Sequence, residues 1–141
     1  MALWLFKEEP DTYSFDDLER DGATTWGGVT NALAQKHLRA IKKGDRVFFY
    51  HTGDEKAVVG IMEVTADPSP DPDDEAGKRV VVPVKPVRKF KTPVPLSAIK
   101  SQNAFVNWEL VRISRLSVMP VSATVWKKIE AMGEKVNKAH G

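Results

Sequence analysis

The sequence predicts an α+β fold: a small curled sheet or barrel with short helices around it. Two observations carry the prediction. The first is Arg46–Val64, which reads as two strands, R-V-F-F-Y-H and A-V-V-G-I-M-E-V, joined by a polar turn through Gly53-Asp54. Val47, Phe49 and His51 alternate onto one face, and Phe48 and Tyr50 onto the other. Both faces are therefore apolar, which places the hairpin at the centre of the fold, covered on two sides. Gly60 interrupts the second strand and predicts a bulge or a close approach to the backbone. The second observation is the order of patterns. Helical periodicity clusters early and late, with strand patterns between, for a total of about five strands and four short helices.

Leu3–Lys7, a compact apolar run closed by Glu8-Glu9-Pro10, is the first predicted strand. Ser14-Phe15-Asp16-Asp17 has the shape of a capping box, and the helix it opens runs to about Asp21, with Gly22 as its stop. In T-T-W-G-G-V-T-N (24–31) the paired glycines put Trp26 in flexible backbone outside any helix or strand. Thr30 or Asn31 caps the next helix, which reaches about Ile41 with Leu33, Leu38 and Ile41 on its apolar face. After Val64, A-D-P-S-P-D-P-D-D-E-A-G reads as a solvated loop. Lys78–Phe90 resumes as strand, with Pro83 and Pro86 requiring edge positions or bulges. Thr92–Pro95 follows as a connector, Leu96–Lys100 as a short helix and Leu110–Ile113 as a strand. Ser122 caps a last helix, in which Val125, Ile129 and Met132 share a face and Gly133 ends the run. Residues 1–133 are expected to form one domain and 134–141 a polar, frayed tail.

A chain of 141 residues with 42% hydrophobic and 28% charged side chains can bury a sizeable single core. Its net charge is only +2, but the charge is unevenly spread. Residues 67–75 hold acids and no base, and residues 78–100 hold bases and no acid, so one face can attract a polyanion. There is no cysteine, which excludes disulfides, thiolate zinc sites and cysteine nucleophiles. His37, His51 and His140 lack ligand-like spacing, so no metal is expected. No run approaches a membrane span and the N-terminus has no cleavage-like region. A cytoplasmic monomer is the expected state.

The motifs for chemistry are sparse. No serine sits in G-x-S-x-G, and Gly27-Gly28 is neither a Walker loop nor a dinucleotide fingerprint. Glu8 and Glu9 point to opposite faces of a strand, and Asp16-Asp17 suits the positive end of a helix. No catalytic residue and no cofactor is therefore expected. Gly27–Asn31 leads into a helix N-terminus, whose free N–H groups can hold an anion or a carbonyl. Trp26 beside two glycines, Tyr50-His51 at a strand end and basic Arg88, Lys89 and Lys91 suit nucleic acid, with bases stacked on aromatics and phosphates held by cations. Each has a structural alternative. Trp26 can pin a loop, the basic run can be a solvated face, and His51 can be a histidine satisfied by backbone. Trp4, Phe48, Phe49 and Trp126 read as core.

Longer strings carry a resemblance. W-L-F-K-E-E-P-D (4–11), W-G-G-V-T-N (26–31), L-R-A-I-K-K-G-D (38–45), F-F-Y-H (48–51), V-G-I-M-E-V (59–64), V-K-P-V-R (84–88) and R-L-S-V-M-P-V (115–121) follow the order seen in EVE-domain proteins. The chain resembles that family over nearly its whole length, with Glu8, Gly27 and Thr30 departing from the family's usual Ser, Asp and Arg. The resemblance implies a PUA-like fold, a small curved β-barrel of about five to six strands with surrounding short helices, and kinship with YTH domains. It implies a non-catalytic reader of DNA or RNA carrying a modified base, with modified cytosine in DNA as the leading ligand. By motif position, the ligand-binding residues are Lys7, Trp26, Gly28, Val29, Asn31, Tyr50, His51, Arg115, Leu116 and Ser117, with Arg88, Lys89 and Lys91 contacting phosphates. Two other functions fit the same residues: an RNA-acting hydrolase using His51 and a lysine, and a protein-interaction or small-molecule module.

Overall fold

The computed structural model describes residues 1–135; positions 136–141, with His140 and most of the expected tail, lie outside the described residues. Seven strands form one curled mixed sheet. They are β1 (Leu3–Glu8), β2 (Thr24–Trp26), β3 (Arg46–His51), β4 (Ala57–Val64), β5 (Ser69–Pro70), β6 (Val80–Pro95) and β7 (Val118–Pro120). The spatial order is β2-β6-β4-β3-β1-β7, with β5 paired to β6. Only β1 and β3 run parallel. The described residues also form five helices: α1 (Phe15–Asp21), α2 (Ala32–Ala40), α3 (Leu96–Lys100), α4 (Glu109–Arg112) and α5 (Ala123–Gly133).

The central hairpin is as expected. Val47, Phe48, Phe49 and Tyr50 are all buried, and the two faces are covered by different elements. On one side Phe48 stacks on Trp126 of α5 at 3.7 Å and 8°. On the other, Phe49 meets Phe15 of α1 edge-on at 5.6 Å. Gly60 is both bulge and close approach. The β3–β4 register shifts beside it, and a Cβ there would lie 2.7 Å from the Phe15 ring and 2.9 Å from the Arg88 carbonyl. The caps also follow the sequence. Ser14 and Asp17 form the full capping box of α1, Gly22 at φ 79° closes it, and Asn31 and Ser122 cap α2 and α5.

Five expectations are corrected. Trp26 is not in irregular backbone: Thr24–Trp26 pairs with Val82–Val84 as an edge strand, which suits two threonines and a tryptophan. Thr92–Pro95 is not a connector, because β6 continues through it to pair Val94 and Pro95 with Val58 and Ala57. Leu110–Ile113 is not a strand. The free edge of β1 is taken by β7, so residues 109–112 close a single helical turn instead. Leu33 is 40% exposed, and α2 buries Ala34, Gln35 and Leu38. Pro86 lies beside a register shift, as expected, whereas Pro83 takes no edge position: it pairs with Thr25 and sits on β6, which β2 and β4 flank. Two residues of the expected tail are tied down. Glu134 accepts from Arg88, and the Lys135 carbonyl from the Thr92 hydroxyl.

Candidate functional site

The parallel pairing of β1 and β3 decides which candidate side chains share a face. Phe6 lies opposite Phe49, Lys7 opposite Tyr50 and Glu8 opposite His51. Side chains alternate along a strand. Phe6, Glu8, Phe49 and His51 therefore lie on one face, and Lys7 and Tyr50 on the other. Trp26 packs on the first face, 5.2 Å from Phe6 and 5.3 Å from Phe49. The sheet thus separates Trp26 and His51 from Lys7 and Tyr50, which the motif order alone had grouped around one pocket.

On the Trp26 face, aromatic contacts continue through Phe49 to His51, whose ring is 5.3 Å from Phe49. Trp26 is only 5% exposed. Its indole N–H has no hydrogen-bond partner among the described residues, none of which leaves a buried side-chain donor unsatisfied. The loop after Trp26 is held from below. Gln35, 4% exposed, donates to the Val29 carbonyl at 2.7 Å and accepts from the Val80 N–H at 3.0 Å. Gly28 is exposed at φ 73°, a conformation that favours glycine. Asn31 spends its side-chain oxygen capping α2, accepting from Ala34 at 2.9 Å, and leaves its amide NH2 without a partner among the described residues.

His51 is fully engaged. Its Nε2 accepts the Phe15 backbone N–H at 3.1 Å, and its Nδ1 lies 2.6 Å from Glu55 Oε1. A ring nitrogen that accepts from backbone carries no proton, so Nδ1 is the protonated one and donates to Glu55.

On the reverse face, a cleft of about 230 Å³ opens where the ends of β1 and β3 meet α3 and α4. Lys7, Tyr50, Lys56, Lys100 and Ser114 line it. Lys7 Nζ donates to the Ser114 carbonyl at 2.9 Å and lies 5.6 Å from the centre of the Tyr50 ring. Burial holds the Lys7 ammonium below its ordinary range and pushes the Tyr50 hydroxyl up to about 12. The segment Arg115–Ser117 flanks this edge. The Ser117 carbonyl accepts the Lys7 N–H at 2.9 Å, Leu116 is core at 2% exposure, and Arg115 is exposed.

The basic run on β6 serves the fold. Arg88 pairs with both Glu130 and Glu134, and Lys89 donates to Asp16 at 2.8 Å, so these two cations clamp α5 and α1 to the sheet. Lys91 is exposed and has no ion pair among the described residues. Reasoning on the sequence missed Gln35, Lys56 and Lys100. Lys56 and Lys100 stood in a turn and at a helix end with nothing to link them. Gln35 showed only as a polar residue within a helix. The described residues contain no group of three potential metal ligands, and none of their helices is long and apolar enough to cross a membrane.

The strand order, the parallel β1–β3 pair and the flanking short helices define a PUA-like domain. The EVE domain model matches residues 2–132, and the chain belongs to that family. It is 28% identical to human thymocyte nuclear protein 1 over 94% of this chain and 74% of that one. It is 31% identical to the chicken protein, of which it spans 63%. Among solved structures, it matches Rpa0253 from Rhodopseudomonas palustris with a TM-score of 0.91 and 40% identity, over 100% of this chain and 99% of that one. It also matches the crystal structure of human THYN1 protein in complex with 5-methylcytosine containing DNA, with a TM-score of 0.88 and 28% identity over 97% and 100% of the two chains.

Proposed function

We propose that this protein is a non-catalytic reader of nucleic acid that takes a modified base, modified cytosine in DNA above all, at the Trp26 face of the sheet. The observation that carries this reading is the match, over 97% of the chain, to a relative whose structure contains 5-methylcytosine DNA. Local geometry supports it. The buried Trp26 indole is followed in the chain by the exposed Gly28 and by Asn31, whose amide NH2 has no partner among the described residues and can hydrogen-bond a base edge. Extracting a base from its stack costs a few kcal/mol, stacking offsets about 1–3 kcal/mol of that, and an apolar niche for one methyl group adds about 1–3 kcal/mol of discrimination. The reading without catalysis is supported by His51, whose two ring nitrogens are both occupied within the fold and which is therefore not available as a general base.

The test is titration with short DNA duplexes that differ only in cytosine, 5-methylcytosine or 5-hydroxymethylcytosine at one position. A preference of at least about tenfold for a modified cytosine is expected, the low end of what one methyl contact supplies. It should fall in Trp26→Phe, a change mild enough to keep the core. Equal binding to all three duplexes, unchanged in the variant, overturns the reading.

A further inference from the structure

The reverse-face cleft has no part in base recognition as described above, yet its make-up is that of a ligand site. Three lysines, Lys7, Lys56 and Lys100, converge on it and no carboxylate lines it. Of the neighbouring acids, Glu55 is held by His51 at 2.6 Å and Glu9 accepts from the Thr52 hydroxyl at 3.1 Å, while Asp54 and Glu55 line an adjacent depression that shares Lys56 and Lys100 with the cleft. None of the three lysines has an ion pair among the described residues. The ammonium of Lys7 is anchored to a backbone carbonyl, which supplies no charge. The Tyr50 hydroxyl, on a side chain 3% exposed, has no partner among the described residues and is not sealed off, so it too is free to donate.

A second feature points the same way. Lys56 is the single described non-glycine residue at positive φ, 46°. That conformation costs a β-carbon-bearing residue about 1–2 kcal/mol. It is held by a hydrogen bond from the Leu96 N–H to the Lys56 carbonyl at 2.7 Å, which ties the β3–β4 turn to the start of α3. A glycine in that place would be unstrained, and a lysine stands there with its side chain at the cleft.

We infer that the cleft formed by Lys7, Tyr50, Lys56 and Lys100 is a phosphoryl-binding site on the sheet face opposite Trp26. Lysine ammoniums act on phosphate as point charges, and a phenolic hydroxyl supplies a directed donor. At about 230 Å³ the cleft is smaller than the roughly 300–1,000 Å³ of cofactor and drug-sized pockets, and so suits a phosphoryl group with little attached. The group can come from a nucleic-acid backbone or from a free phosphomonoester. The site fills the role that Arg88 and Lys89 leave open by pairing within the fold.

The experiment is an amide NMR titration with inorganic phosphate at constant ionic strength, for the wild type and for Lys56→Gly/Lys100→Gln. Lys56→Gly removes the charge while relieving the backbone, so the fold is kept. The expected result is saturable shifts at Thr52, Gly53 and Ser114, with affinity lowered about tenfold or more in the double variant, as loss of two charge-assisted contacts requires. A control, Lys127→Gln/Lys128→Gln on α5, should leave the affinity unchanged. Shifts that do not saturate, or that weaken equally in the control, overturn the site. A second arm separates the sources using a single-stranded oligonucleotide. If the backbone occupies the cleft, its affinity falls in the double variant and the slope of log K against log salt flattens by about 1.4, two phosphates at about 0.7 each. If a free phosphomonoester does, oligonucleotide binding is unchanged while phosphate still saturates. No base enters the phosphate arm, so its result stands apart from that of the cytosine comparison.

Discussion

The Nε2 of His51 accepts the backbone N–H of Phe15 at 3.1 Å, so the end of the central strand caps the first turn of the first helix. That bond gives His51 the structural role that was one of the two open to it from sequence. It acts on structure, and it does so beside the Trp26 face, because Phe15 also packs on Phe49, against which Trp26 rests. His51→Ala leaves the Phe15 N–H buried without a partner and the Glu55 carboxylate without its donor. A loss of about 1–3 kcal/mol in unfolding free energy is expected, read from urea denaturation. Below the transition, DNA affinity should change by less than about threefold, under 1 kcal/mol. RNA cleavage that vanishes in this variant would instead make His51 catalytic.

That bond also marks the limit of what was legible in the sequence. The β3–β4 hairpin, the capping residues Ser14 and Ser122, the narrowing of the α2 cap to Thr30 or Asn31 and the meaning of Gly60 were visible because each depends on spacing within a few residues. The same alternation put Tyr50 and His51 on opposite faces from the start. The parallel β1–β3 register was not visible, because two strands separated by forty or so positions carry no local signal of their pairing. Without that register, Lys7 could not be assigned to Tyr50's face. The partners of two β6 cations were hidden for the same reason. Arg88 and Lys89 read as free only until helices distant in sequence, bearing Glu130, Glu134 and Asp16, fold onto them. Leu110–Ile113 failed differently. A short apolar run fits helix and strand alike, and only the occupied edge of β1 decides it.

Gly60 is a tight point beneath this arrangement. A methyl group there would meet the Phe15 ring at 2.7 Å and the Arg88 carbonyl at 2.9 Å. The carbonyl belongs to a paired strand and cannot retreat as a side chain would. Gly60→Ala is expected to lower stability by about 2–3 kcal/mol, an overpacking cost at a buried site. A shift in the denaturation midpoint corresponding to less than about 0.5 kcal/mol would mean that α1 moves freely on the sheet, contrary to its packing.

Gln35 holds the Gly28–Asn31 loop to β6, donating to the Val29 carbonyl and at longer range to the Val80 carbonyl, and accepting from the Val80 N–H. Gln35→Leu keeps the volume and leaves both backbone groups unpaired, so a loss of about 2 kcal/mol is expected. The preference for modified over unmodified cytosine should fall with it, because the loop then samples other positions. Gln35→Glu sharpens the test. The ionised carboxylate still accepts from Val80 but repels the Val29 carbonyl, whereas the protonated form donates to it. The neutral form is thus favoured on folding, the folded pKa lies above the unfolded one, and stability should rise as pH falls through that range. A variant whose stability ignores pH would show that the Val29 contact carries no weight.

Tyr50 and Lys7 share the reverse-face cleft and respond to alkaline pH in opposite directions. The Tyr50 hydroxyl is pushed by burial from 10.0 to about 12. Between those values the unfolded chain gives up the phenolic proton and the folded one keeps it. The folded state then binds more protons, and stability falls as pH rises through that window. For Lys7, burial lowers the ammonium from 10.5. There the folded chain releases its proton first, the unfolded state binds more protons, and stability rises with pH up to about 10.5. Tyr50→Phe should therefore lessen the decline above pH 10, to which Tyr13 and Lys89, both raised in the folded chain, also contribute, and leave the gain below it. The protein has two tyrosines. In a Tyr13→Phe background the tyrosinate absorbance reports Tyr50 alone, with an expected midpoint near 12. A midpoint close to 10 would place the hydroxyl in bulk water rather than against the cleft wall.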